Sequence, residues 1–179
     1  CSKDDTVEIC RKWLDENSER FVRIELVTTE KNTGIAPNCN RGLRVAKGEW
    51  VRLIAGDDLF VNKAIEAYLT VARNPKVTVV FSKSTEIDEA GLFIKERTPS
   101  SKLFDISAKK QYRKMLEGNL IPSPTVFFKR NIFDQCGFFD EKYPFLDDYP
   151  MYLKLLKNGN RFYYLDETTL RYRRHSGNV

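Results

Sequence analysis

Histidine occurs once in this sequence, at position 175, and cysteine only four times, with no two thiols at the Cys-x-x-Cys spacing of a metal site. Cys1, Cys10, Cys39 and Cys136 therefore read as reduced thiols of a cytosolic protein, mostly small core residues. No apolar run approaches the ~20 residues of a membrane-spanning helix, and no leader-like segment opens the chain. Runs of five or more like charges are missing, as are Lys/Arg clusters interleaved with aromatics, which removes the signature of a nucleic-acid-binding surface. What is present is an ordinary globular composition. The 179 residues, 41% hydrophobic and 31% charged, suffice for one domain with a sizeable core and are too few to demand two. A net charge of +5 is a modest excess that favours anionic ligands such as nucleotide diphosphates, or an acidic membrane surface.

The chain is organised around Gly48-Glu49-Trp50-Val51-Arg52-Leu53-Ile54-Ala55-Gly56-Asp57-Asp58. Its short apolar segment is sized like a buried strand of a parallel sheet, which places Asp57 and Asp58 at the strand's C-terminal end. Open α/β sheets bind their ligands at that end, and adjacent acids there suit a divalent cation, a hard ion that takes oxygen ligands. The competing reading is that the acids cap a helix starting near Asn62.

The elements around this stretch are set by pattern. A helix runs from about Val7 to Asn17, with Val7, Cys10, Trp13 and Leu14 on one face. Residues 22–28 read as a strand and 37–47 as a helix stopped by a left-handed Gly48, with Asn38 and Asn40 as candidate caps. A helix then carries Ala64, Ile65, Tyr68, Leu69 and Ala72 and ends at Asn74-Pro75. Residues 77–81 form an interior strand, and 82–94 suggest a hairpin turning at Glu89-Ala90-Gly91. Later come a helix over 107–117, a strand over 126–129, a short helix stopping at Gly137, a helix opening at Asp147-Asp148, and strands over 161–165 and 169–172. Phe138, Phe139, Tyr143 and Phe145 read as core rather than as a sugar platform, with one or two of them as candidates to line the acceptor cleft.

Several motifs stand together: Asn32-Thr33-Gly34, Asn38-Cys39-Asn40-Arg41-Gly42, Ala46-Lys47-Gly48-Glu49-Trp50, the Asp57-Asp58 strand end, Phe145-Leu146-Asp147-Asp148-Tyr149 and Tyr172-Arg173-Arg174-His175. In this order and spacing they resemble the inverting family-two glycosyltransferases of the GT-A fold, over nearly the whole chain. The resemblance implies an α/β, Rossmann-like, mostly parallel sheet flanked by helices. It also implies metal-dependent transfer of a sugar from a UDP- or dTDP-sugar to a hydroxyl of a saccharide acceptor, with inversion. By the same resemblance Asp58 and His175 hold Mn2+ or Mg2+, Asp57 contacts the donor ribose or shares the ion, Asn40 contacts the donor nucleotide, and Asp148 is the base. Asp147 falls at the family's glutamate position. Ser2, Asp4 and Thr6 fall on an Asp-x-Ser-x-Asp-x-Thr turn whose first aspartate would precede Cys1, so the expectation is a single domain without the family's first strand and helix, roughly 30 residues.

Three positions depart from the family's pattern: Ala55 stands for the first acid of Asp-x-Asp-Asp, Cys39 for an arginine, and Asp147 for a glutamate. The expected acceptor class is a saccharide or lipid-linked saccharide of cell-surface polysaccharide synthesis. The expected place is the cytoplasm, with peripheral association at the inner face of its membrane. A catalytically silent nucleotide-sugar-binding module and a nucleotidyltransferase stand as the alternatives.

Overall fold

Val79, Val80 and Phe81 are consecutive and all fully buried, which requires a strand covered on both faces. They open β3 (Val79–Ile87), the middle strand of the sheet order β1-β5-β3-β6-β2 in a computed structural model that describes residues 2–143 and 148–177. The other strands are β1 (Trp50–Arg52), β2 (Leu59–Phe60), β4 (Phe93–Arg97), β5 (Phe127–Lys129) and β6 (Phe162–Arg173). The helices are α1 (Thr6–Asn17), α2 (Ile35–Val45), α3 (Ala64–Ala72), α4 (Ala108–Met115), α5 (Asn131–Cys136) and α6 (Asp148–Lys157).

Alternation along the strands builds two cores. Val79, Phe81, Phe128 and Phe162 face α4, α5 and α6, where Met115, Ile132, Phe133, Met151, Tyr152 and Leu155 complete the larger cluster. Val80, Phe127 and Leu165 face the other way, against Ala67 and Tyr68 of α3. Helices therefore cover both faces, as the α/β reading requires.

The sheet is mixed rather than mostly parallel. Among the described residues only β3 and β6 pair in parallel, whereas β1–β5, β3–β5, β3–β4 and β2–β6 are antiparallel. Because β5 runs against both β1 and β3, the strands β1, β3 and β6 still share one direction. Their C-terminal ends meet at one edge of the sheet, where Ile87 lies opposite Arg173. The hairpin expected over 82–94 is present as β3–β4. The two strands expected at 161–165 and 169–172 are one strand, β6, whose irregularity is taken up where Leu165 faces Ser82 and Thr168 faces Lys83.

Other expectations shift with the backbone. Residues 22–28 are not in a strand, although their β-branched residues favour extended chain. A cleft lined by Phe21, Val22 and Arg23 on one side and Trp50, Val51 and Arg52 on the other separates them from the β1 edge, and a strand needs a ladder partner. Helix α2 begins at Ile35 behind Gly34, which has φ +90°, so neither Asn38 nor Asn40 is its cap. The helix ends at Val45 with Ala46 extended, and Gly48 does not take the left-handed conformation expected of a terminator. Phe139 is buried as expected, Tyr143 is exposed, and Phe145 lies outside the described residues.

Candidate active site

Asp57 and Asp58 stand in a turn between β1 and β2, closed by the bond from Asp58 N–H to the Ala55 carbonyl at 3.3 Å. The strand itself ends at Arg52, so the acids sit beyond its end, and the turn is aimed by the two residues of β2. Leu59 and Phe60 pair with Arg171 and Leu170, which carries the acids to the C-terminal end of β6. There Arg173 N–H donates to Asp58 Oδ1 at 3.0 Å. The guanidinium of the same residue donates to the carbonyls of Asp57 (2.9 Å), Asp88 (3.1 Å) and Glu89 (2.8 Å), clamping the acidic turn to the β3–β4 turn. The acids do not cap α3, whose preceding residue is Lys63 at φ 62°.

The two carboxylates differ in environment. Asp58 is 7% exposed, and burial raises its pKa, with the Arg173 N–H opposing. Its Oδ2 is buried without a hydrogen-bond partner. Asp57 is held below its ordinary value chiefly by the hydrogen bond with His175, whose Nε2 lies 2.8 Å from Asp57 Oδ2. His175 Nδ1 accepts the Gly177 N–H at 3.1 Å, so the proton of a neutral ring is on Nε2 and points at Asp57.

This donor set fits a hard divalent cation. A buried carboxylate oxygen lacking a partner sits beside a carboxylate and an imidazole joined through one proton, which a cation can replace. Among the described residues no three His, Cys, Asp or Glu side chains stand at metal-holding distance.

Asp58 opens into a cleft of about 550 Å³ that is also lined by Asn38, Cys39, Ala55, Tyr152 and Tyr172. Ala55, in the place of an acid, contributes only a methyl group to that wall. Asp148 begins α6, one helical turn before Tyr152, but does not itself line the cleft. Its Oδ2 accepts from Asn119 Nδ2 at 2.9 Å and its Oδ1 from the Tyr149 N–H at 2.7 Å. Asp147 lies outside the described residues.

Asn40 has a different role from the one expected of it. It is 1% exposed, and both its amide hydrogens and its Oδ1 are bonded inside the protein. Its amide donates to the Phe139 carbonyl (3.0 Å) and to Glu141 Oε1 (2.8 Å), and its Oδ1 accepts the Phe139 N–H at 3.0 Å. It fastens α2 to the segment after α5 and offers nothing to a nucleotide. Replacing it by alanine strands the buried N–H and C=O of Phe139, so Asn40→Ala is expected to cost about 2 to 3 kcal/mol. Urea unfolding followed by fluorescence checks this, with the nucleotide affinity of the folded fraction unchanged.

Two residues that organise the site escaped the sequence reading. Arg173 is one, through its grip on the acidic turn. Arg52, half-buried in β1, is the other. It reaches the Tyr68 hydroxyl and the carbonyls of Pro124 and Thr125, whose segment supplies Ser123 and Pro124 to the cleft. A lone charge inside an apolar strand was the available signal for it.

The profile described as Glycosyl transferase family 2 matches residues 1–137. An uncharacterized glycosyltransferase of Methanocaldococcus jannaschii is 25% identical over 89% of this chain and 54% of its own length. The Escherichia coli protein WfaP, a UDP-Glc:alpha-D-GlcNAc-diphosphoundecaprenol beta-1,3-glucosyltransferase, is 26% identical over 99% of this chain and 64% of its own. The structure of S. aureus TarS 1-349 in complex with UDP-GlcNAc superposes with a TM-score of 0.74 at 18% identity, covering 99% of this chain and 48% of that one, and so shares the GT-A fold. The chain spans about half the length of the first curated relatives it matches. With the family profile covering most of its length, the chain belongs to glycosyl transferase family 2.

Proposed function

We propose that this chain carries the donor site and the catalytic acids of a metal-assisted glycosyltransferase. It moves a sugar from a UDP- or dTDP-sugar to a hydroxyl of a saccharide acceptor with inversion. The observation that carries the reading is the partnerless Oδ2 of Asp58, buried at the lip of a cleft beside the Asp57–His175 pair. Asp58 and His175 would hold Mn2+ or Mg2+, and the ion supplies charge neutralisation for the leaving diphosphate. Asp57 steers the imidazole and faces the donor ribose. Asp148 takes the proton of the acceptor hydroxyl, a step that requires approach to about 2.6 to 3.2 Å. Inversion by direct displacement needs no enzyme nucleophile.

The acceptor class is drawn from the relatives. WfaP and WfgD of Escherichia coli are named for a sugar acceptor carried on diphosphoundecaprenol, which supports a lipid-linked saccharide here. Among the described residues no helix is long and apolar enough to cross a membrane. The proposed meeting with such a substrate is peripheral, at the inner face of the cytoplasmic membrane.

The test is a calorimetric titration with UDP and with dTDP, each with and without Mn2+, followed by a radiolabelled-sugar transfer assay. Manganese-dependent nucleotide binding together with turnover is the expected result. Binding without turnover identifies a silent nucleotide-sugar module, and binding that ignores manganese overturns the metal assignment.

A further inference from the structure

Next to the cleft that holds Asp58 lies a smaller cavity of about 240 Å³, and the two share Pro124 and Tyr172 as a common wall. Glu86 of β3 lines this second cavity and is 3% exposed. Its neighbours across the sheet are Lys95 on β4 and Tyr172 on β6. Arg97 Nε donates to Glu86 Oε1 at 2.6 Å and Arg174 Nε to the same oxygen at 3.1 Å, while Lys95 Nζ lies 3.4 Å from Oε2. Burial pushes the Glu86 carboxyl up, but the three cations prevail and hold it below its ordinary value. The carboxylate is therefore ionised and outnumbered, so the cavity is positive.

The arrangement orients the cations as well as collecting them. Glu86 engages Arg174 through Nε alone, and the guanidinium lies over the Tyr172 ring, with Cζ 5.5 Å from its centroid. Both arginine side chains are about half exposed while their anchor is buried. A planar fork fixed by a buried carboxylate and an aromatic ring is well suited to phosphate oxygens.

We propose that this cavity is an anion subsite for a phosphate of the acceptor, a role that rests on the transferase reading. The donor's diphosphate would take its counter-charge from the cation proposed at Asp58, across the shared wall. The side of the cavity formed by β4 also suits a lipid-borne phosphate. Lys95 and Arg97 share the face of Glu86, while a bulge sets Phe93 opposite Ile87 instead, and Leu92, Phe93 and Ile94 at the start of β4 are 66%, 68% and 47% exposed. A phosphate at Arg97 and Arg174 thus has exposed apolar side chains on the same hairpin for the hydrocarbon attached to it, which a nucleotide sugar lacks.

Arg174→Gln is the variant of choice, because Glu86 keeps Arg97 and Lys95 and its charge is not left alone. Inorganic pyrophosphate, titrated calorimetrically into the full chain without nucleotide or divalent cation, is expected to bind about tenfold more weakly to the variant. In transfer assays KM is expected to rise about tenfold for a diphosphate-linked lipid saccharide. It should stay unchanged for the same saccharide on a neutral alkyl chain, as should the affinity for UDP with Mn2+. Arg97→Gln, checked for an unaltered melting curve, should repeat the pattern.

Unchanged pyrophosphate binding in both variants overturns the subsite. An equal fall in UDP affinity gives the cavity to the donor, and weakened pyrophosphate binding with unchanged KM gives it to free phosphate; either result overturns the assignment. Should the wild type transfer to no acceptor, the transferase reading fails, and the pyrophosphate titration still decides whether the cavity binds anions.

Discussion

Asp58→Asn is expected to lower the rate of sugar transfer by about 10² to 10³ or more, and to abolish the manganese-dependent part of nucleotide binding. The substitution is well chosen because it separates charge from shape. An asparagine Oδ1 in the same place still accepts the Arg173 N–H, so the clamp between the acidic turn and β6 survives. What is lost is the buried negative oxygen that has no hydrogen-bond partner among the described residues and is therefore available to a cation. Calorimetry with UDP, with and without Mn2+, measures the loss, and a melting curve within a few degrees of wild type shows that the fold is kept. A variant that binds UDP with Mn2+ as wild type does removes Asp58 from the metal's coordination. Asp57→Asn should be milder, since Asp57 acts on His175 and already has a partner for its charge.

The contrast between these neighbouring acids explains how far the sequence could be read. That Asp57 and Asp58 lie at the ligand-binding edge could be inferred from an apolar strand ending in two acids. Which of them carries the spare oxygen could not. That depends on Arg173, brought to Asp58 only because β2 pairs with β6 across more than a hundred intervening residues. Local pattern found the elements that bury two faces or one clear stripe, such as β3 and α3. It failed at 22–28, where β-branched residues stated a preference for extended chain and no ladder answered it. It also misread Asn40. An asparagine in a glycine-flanked helix looks like a cap or a ligand contact, and only the position of Phe139 shows that its amide is fully used inside. The cationic cavity around Glu86 was illegible for the same reason, since Lys95, Arg97 and Arg174 converge through β-ladder register rather than sequence spacing.

Asp148→Asn should leave nucleotide binding intact and still lower transfer by about 10² to 10⁴, the range that a positioned general base supplies. The geometry favours a clean result. Asp148 stands in the first turn of α6 with its Oδ2 receiving Asn119 and its Oδ1 receiving the Tyr149 N–H, and an asparagine can retain one of these bonds through its carbonyl oxygen. Because Asp148 does not line the cleft that holds Asp58, the substitution is expected to leave the donor's contacts in place. The expected signature is therefore a fall in kcat at unchanged UDP affinity, in contrast to the binding defect of Asp58→Asn. A second variant sharpens it. Asn119→Ala removes the neutral donor that holds Asp148 in place, so it should lower kcat less than Asp148→Asn does, again without altering nucleotide affinity. If Asp148→Asn turns over at the wild-type rate, the proton leaves by another group, and the role given to the N-terminus of α6 is lost while the Asp58 site stands.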